Sequence, residues 1–156
     1  MESRYRSTAR RAASEVARRV RHRLVNARHV RLLVHSPLFD HEWYSHCVGR
    51  SLERAEAAEH YLRHGRSEQF TPNPLFDPDY FASQSADLLV EGEDPFVSYV
   101  RGKHWWAPVH PLVQIRRYLV DHPEAQDHPT GPIGHYLEHG AALGHRINAW
   151  YLRDPR

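Results

Sequence analysis

Hydrophobic positions along this chain fall in short clusters at helical spacing, and the clusters recur. Leu38, Phe39, Trp43 and Tyr44 are followed, after a polar stretch, by Tyr61 and Leu62. Leu75, Phe76, Tyr80 and Phe81 are followed by Phe96 and Tyr99, and Leu112 and Tyr118 by Ile133, Tyr136 and Leu137. Long alternating apolar–polar runs are missing, so the pattern predicts helices rather than strands. The openings Pro37-Leu38-Phe39-Asp40, Pro74-Leu75-Phe76-Asp77 and Pro111-Leu112-Val113-Gln114 start 37 residues apart. The closings agree as well. His60-Tyr61-Leu62-Arg63-His64-Gly65 returns as His135-Tyr136-Leu137-Glu138-His139-Gly140, with the shorter Ser98-Tyr99-Val100-Arg101-Gly102 between them. Agreement at both ends predicts an all-α fold of tandem helical hairpins, about three units of 37 residues over 37–73, 74–110 and 111–148. A truncated fourth start follows at Asn148-Ala149-Trp150-Tyr151.

Punctuation residues place the helices inside each unit. Asp40 and Asp77 can accept from the free backbone N–H groups of a first helix, and Pro78 suits the first helical turn, where its missing N–H costs nothing. Asp94-Pro95 and Gly131-Pro132 read as starts of second helices. Gly65 and Gly140 are expected to close those helices in the left-handed conformation. One hairpin of this size cannot cover its own apolar stripe, so neighbours must stack. Phe39, Tyr44, Tyr61, Phe76, Phe81, Tyr99 and Tyr136 are the repeated positions on which that shared core would rest.

Charge divides the chain in two. Net charge is +2, yet residues 1–31 hold ten Arg against Glu2 and Glu15, so a basic arm of +8 joins a body of −6. From Arg4 to Val34 neither proline nor glycine intervenes, and Val16, Val20, Leu24, Ala27 and Val34 fall near one face. The expected division is a long basic amphipathic helix over 1–35 and a helical repeat domain over 36–156. Arg10, Arg11, Arg18, Arg19, Arg21, Arg23 and Arg28 would meet anions there. An anionic membrane surface, docking or self-association, and nucleic acid all fit a basic stripe. The shortage of Trp and Phe in the arm weakens the first, and no zinc-finger or RNA-binding signature supports the last. Apolar runs are too short for a membrane span, and the arm lacks the apolar core of a secretory signal. These features, with the single Cys47, lead to an expectation of a cytoplasmic protein, peripheral at the inner face of the membrane if the arm anchors it.

Candidate chemistry is sparse. His60/His64 and His135/His139 have a chelating spacing, but they fall at equivalent places before the closing glycines, where histidine can bond the last free carbonyls. A structural role accounts for them, and no metal or cofactor is expected. His46 and Cys47 are adjacent on a helix and do not face each other, so Cys47 reads as a small buried hydrophobe. Glu91, Glu93 and Asp94 read as a solvated loop. Phosphate loops, dinucleotide fingerprints and nucleophile elbows are absent, so the chain is read as non-enzymatic. Trp105-Trp106 is the exception to a polar connection: exposed indoles would offer a face to a sugar or a partner protein, while burial of at least one against the third unit is favoured.

Residues 60–81 (HYLRHG…TPNPLFDPDYF), 85–100 (SADLLVEGEDPFVSYV) and 134–140 (GHYLEHG) resemble a bacterial tandem repeat of the form PLFD..WY....PDV...G.DP..HYL..G..E.R.PNPLFD. That repeat accompanies glycosyltransferase and sulfotransferase domains in surface-polysaccharide proteins. The resemblance covers about residues 36–151; the first unit lacks the PDV element and the third the opening Phe-Asp. It implies an accessory, scaffolding or targeting role in glycan assembly, with a transferase or a glycan as partner, and it carries no catalytic residues. A stand-alone non-catalytic piece of such a transferase is the nearest alternative, and a nucleic-acid-binding protein the next. Stacking through Trp150-Tyr151 leaves a homo-oligomer open.

Overall fold

The computed structural model describes residues 26–147, and within them the chain is helical with no β-strand. The helices are α1 (26–35), α2 (His41–Val48), α3 (Arg54–His60), α4 (Pro78–Gln84), α5 (Pro95–Gly102), α6 (Ile115–Asp121) and α7 (Gly131–His135). Helices α3 and α7 each run on into a π-helical turn, Tyr61–Gly65 and Tyr136–Gly140. Consecutive helices pair as α2 with α3, α4 with α5, and α6 with α7, giving a first, a middle and a third hairpin.

Each hairpin is closed by the same two bonds. A polar residue before the opening proline accepts the N–H of the leucine two positions on: Ser36 Oγ from Leu38 (3.3 Å), Asn73 Oδ1 from Leu75 (2.8 Å) and His110 Nδ1 from Leu112 (3.1 Å). Such a side chain bends the backbone into a turn, so Ser, Asn and His do one job. The residue heading the first helix then donates its N–H to the far end of its own hairpin. These bonds are Asp40 to Pro72 (3.0 Å), Asp77 to Val109 (2.8 Å) and Gln114 to Ile147 (2.8 Å).

Local capping follows from residue type. Asp40 accepts from Trp43 N–H, and Asp77 from the Asp79 and Tyr80 N–H groups, with Pro78 in the first turn. Asp94 caps α5 through the Phe96 and Val97 N–H groups. Gln114 heads α6 without a side-chain cap, the local consequence of losing the aspartate.

Gly65 and Gly140 do not close helices in the left-handed conformation. Neither has a positive φ; each lies within a π-helical turn and the helical backbone continues past it. Their role is close approach: a Cβ on Gly65 would stand 2.6 Å from Cδ2 of Tyr61, and one on Gly140 would stand 2.4 Å from the Tyr118 hydroxyl. The widened turn brings its own backbone under the tyrosine ring, and only glycine leaves room.

The core is one hydrophobic cluster shared by all three hairpins, most aromatic in its first two. Leu38, Phe39, Tyr44, Tyr61, Phe76, Phe81, Phe96, Tyr99 and Tyr118 are almost wholly buried. Tyr61 of the first hairpin meets Phe96 of the middle one edge-to-face at 6.0 Å, and Phe96 meets Phe76 at 4.9 Å. Leu62, Tyr136 and Leu137 pack against this core half-buried, and Trp43, Tyr80 and Leu112 are half-buried rather than enclosed. Trp43 shows why: its indole N–H donates to Thr71 Oγ1, so the ring reaches outward to a polar partner.

Helix α1 belongs to the same core through Leu33, which is fully buried, with Val30, Leu32 and Val34 packed beside it. Arg54 holds its C-terminal end by donating to the carbonyls of Val34 (2.8 Å) and Ser36 (2.7 Å).

Candidate functional site

The two tryptophans separate because the middle hairpin ends early. After α5, Lys103 adopts a left-handed conformation (φ 52°), and His104 N–H donates to the Tyr99 carbonyl. The backbone doubles back, and adjacent indoles take opposite fates. Trp105 turns inward, edge-on to Tyr99 at 5.3 Å, and sits against Gly131 (φ 70°), where a Cβ would come within 2.4 Å of it. Trp106 turns outward and is 56% exposed. It forms one wall of a cleft of about 490 Å³ whose other sides are Pro108, Val113, Ile115, Arg116 and Arg117. An indole face, a short apolar floor and two guanidinium groups thus meet where the middle hairpin joins α6.

A second cleft of about 480 Å³ lies between α1 and the loop before α5, lined by Arg28, His29, Leu32, Glu91, Glu93 and Arg101. Of the seven arginines expected to meet anions, only Arg28 is described, and it is exposed; Arg10, Arg11, Arg18, Arg19, Arg21 and Arg23 lie outside the described residues. Glu93 and Asp94 depart from the solvated-loop expectation. Glu93 accepts from Ser98 Oγ (2.7 Å) and Arg101 (2.9 Å), and His29 Nε2 lies 3.3 Å away. Burial alone would raise the Glu93 carboxyl, but the Arg101 and Ser98 hydrogen bonds outweigh it and hold the group below the usual glutamate value. Asp94 goes the other way: burial raises it, and the hydrogen bonds from Val97, Tyr61 and Phe96 offset only part of that. Only Glu91 of the three is exposed. The signal in the sequence was Ser98 and Arg101, one helical turn apart on α5 and facing back toward Glu93.

The histidines also find unexpected partners. His60 Nδ1 lies 2.8 Å from the Tyr44 hydroxyl, and His135 Nδ1 lies 2.7 Å from the Tyr118 hydroxyl. They bond a tyrosine of the first helix rather than the last carbonyls of their own. Burial pushes the Tyr118 hydroxyl up to about 12, with Glu124 and Tyr136 adding to it, so it stays protonated and available as a donor. Cys47 is half-buried, and burial, then the Asp40 carboxylate, raises its thiol, which keeps it out of the nucleophilic thiolate form.

Within the described residues no helix is long and apolar enough to cross a membrane. Compared with family models, curated proteins and solved structures, the chain matches none.

Proposed function

We propose that this protein is a non-catalytic accessory module of bacterial surface-glycan biosynthesis, built as three tandem 37-residue helical hairpins behind a basic amphipathic helix. The hairpin array presents a binding face to a glycan or to the glycan-modifying transferase that carries it. The basic arm holds the module at the anionic inner face of the membrane. Support for the tandem array comes from the closing bonds at Asp40, Asp77 and Gln114, which recur at the spacing of the sequence repeat. The glycan context rests on the sequence resemblance over residues 36–151, and the anchor on the arginine pattern of residues 1–31.

The observation that carries the binding role is the Trp106 cleft. A half-exposed indole over an apolar floor can stack on the C–H face of a sugar ring, and Arg116 and Arg117 beside it can pair with carboxylate or sulfate substituents. Trp106 stands 56% exposed over this cleft while its neighbour Trp105 packs on Tyr99, so the free indole face is available to a ligand. The test is a titration of the full chain with sulfated and uronic-acid oligosaccharides, read by indole fluorescence and calorimetry. Binding is expected to drop at least about tenfold in Trp106→Ala, a loss near 1.4 kcal/mol, and to survive deletion of residues 1–25, which leaves the core-packed α1 in place. That deletion is expected to abolish sedimentation with anionic vesicles. Equal glycan affinity in Trp106→Ala removes the cleft from the proposal, and vesicle binding that persists without the arm removes the anchor.

A further inference from the structure

Between residues 122 and 145 the third hairpin gathers five histidines that the sequence spaces apart. His122 stacks on His145 with ring centres 3.6 Å apart, while His128, His135 and His139 form a triangle with sides of 5.7, 5.8 and 5.6 Å. His135 is buried and engaged with Tyr118. Of the other two corners, His139 is exposed and His128 is largely covered. His128 comes from the segment ahead of α7; Glu138, exposed like His139, comes with it from the π-helical turn.

His128 Nε2 lies 3.5 Å from Glu138 Oε2. One ligating atom from each of His128, Glu138 and His139 can be chosen so that all three lie within 4.8 Å of one another. Bonds of about 2.0–2.1 Å in a tetrahedral zinc site put neighbouring ligand atoms roughly 3.3 Å apart. One edge of the triangle therefore already has nearly the right length, and the remainder closes by rotating two exposed side chains. Two imidazoles and one carboxylate suit zinc and its imidazole-seeking neighbours, whereas calcium and magnesium prefer all-oxygen shells. His128 Nδ1 takes the Thr130 backbone N–H at 3.4 Å and lies 3.2 Å from Thr130 Oγ1. A metal on Nε2 moves the ring proton to Nδ1, so binding exchanges the Thr130 N–H contact for donation to Thr130 Oγ1.

The other hairpins supply an internal comparison. The first hairpin has the matching histidine pair, His60 and His64, but carries Arg63 where the third has Glu138. The middle hairpin has Arg101 and Gly102 at the two places. A cation therefore stands where the carboxylate would have to be in both. We propose that His128, Glu138 and His139 bind a divalent transition-metal ion of the zinc type, with at least one coordination position left open to solvent or a ligand.

The full chain titrated with Co²⁺, and competed with Zn²⁺, tests this through the visible ligand-field bands of the bound cobalt. One equivalent is expected to bind and to be displaced by zinc. Glu138→Gln and His139→Ala are expected to weaken binding by more than about tenfold, the lower end of what losing even an outer-shell partner costs. Both side chains are exposed, so both variants should keep the wild-type circular dichroism. His64→Ala is expected to change nothing. Absence of cobalt bands overturns the proposal, and so does unchanged affinity in Glu138→Gln and His139→Ala.

Discussion

The outer hairpins set a tyrosine hydroxyl against a histidine ring, Tyr44 on His60 and Tyr118 on His135, while the middle hairpin carries Phe81 and Ser98 at the two matching sequence positions. Both partners change together. Phe81 has no hydroxyl to satisfy, and Ser98 turns instead to Glu93. On α5 of the middle hairpin Pro95, Phe96, Val97, Ser98, Tyr99 and Val100 are all buried, and its polar bonds, from Ser98 and Arg101 to Glu93, run to the preceding loop. The outer hairpins keep theirs between their own two helices. The matching positions thus hold two solutions, a tyrosine–histidine pair or a phenylalanine whose serine counterpart bonds elsewhere.

If the middle hairpin is the joint of the molecule, its central ring should matter most. Phe96 is fully buried and touches both Tyr61 and Phe76, where the equivalent positions carry Ala58 and Ile133. Phe96→Ala should cost about 3–5 kcal/mol, measured by urea unfolding, because the cavity opens between two hairpins at once. A loss under about 1 kcal/mol would mean that the hairpins stand independently and that the comparison has no energetic content.

A smaller effect sharpens the same contrast. The Tyr61 hydroxyl donates to Asp94, the cap of the second helix of the next hairpin (3.1 Å), whereas the Tyr99 hydroxyl is buried without a partner. The cause is in the sequence: Asp94-Pro95 aligns with Gly131-Pro132, so the acceptor that serves Tyr61 has no counterpart for Tyr99. Trp105 against Gly131 fills the space instead. Tyr61→Phe should cost about 1.5–3 kcal/mol, the worth of a hydrogen bond to a charged group. Tyr99→Phe should cost nothing or stabilise, since it removes a desolvated orphan hydroxyl. Equal losses in thermal melts of the two variants would contradict this assignment.

These contrasts also show what the sequence could reveal. The aromatic spacing exposed the core, and Asp40, Asp77, Pro78 and Asp94 exposed helix starts, because capping depends on residues a few positions apart. Gly65 was misread because a glycine at a helix end usually marks a left-handed cap, and a π-helical turn leaves no local signature. Which indole faces solvent could not be read from Trp105-Trp106, because the reversal at Lys103 decides it. His128 and Glu138 are ten residues apart and meet only because the chain turns between them. Long-range encounters of that kind escape any reading of local pattern.

The smallest expected effect is a dependence on pH carried by the first hairpin. Burial lowers the pKa of His60 below the usual histidine value; Glu68 opposes this, and His64 and Arg50 add to it, with the Tyr44 hydroxyl bonded to the ring. A depressed value means that the unfolded chain takes up a proton near pH 6.5 that the folded chain resists. The stabilisation is therefore fully present above about pH 6.5 and is lost as the pH falls through and below that value. The middle hairpin, with Ser98 at this position, has no such group. Unfolding midpoints at pH 7.5, 6.5 and 5.5 should fall more steeply for the wild type than for His60→Gln, by less than the cost of any core truncation. Parallel curves would show that the Tyr44–His60 pair is insensitive to protonation, leaving the outer and middle hairpins to differ in packing alone.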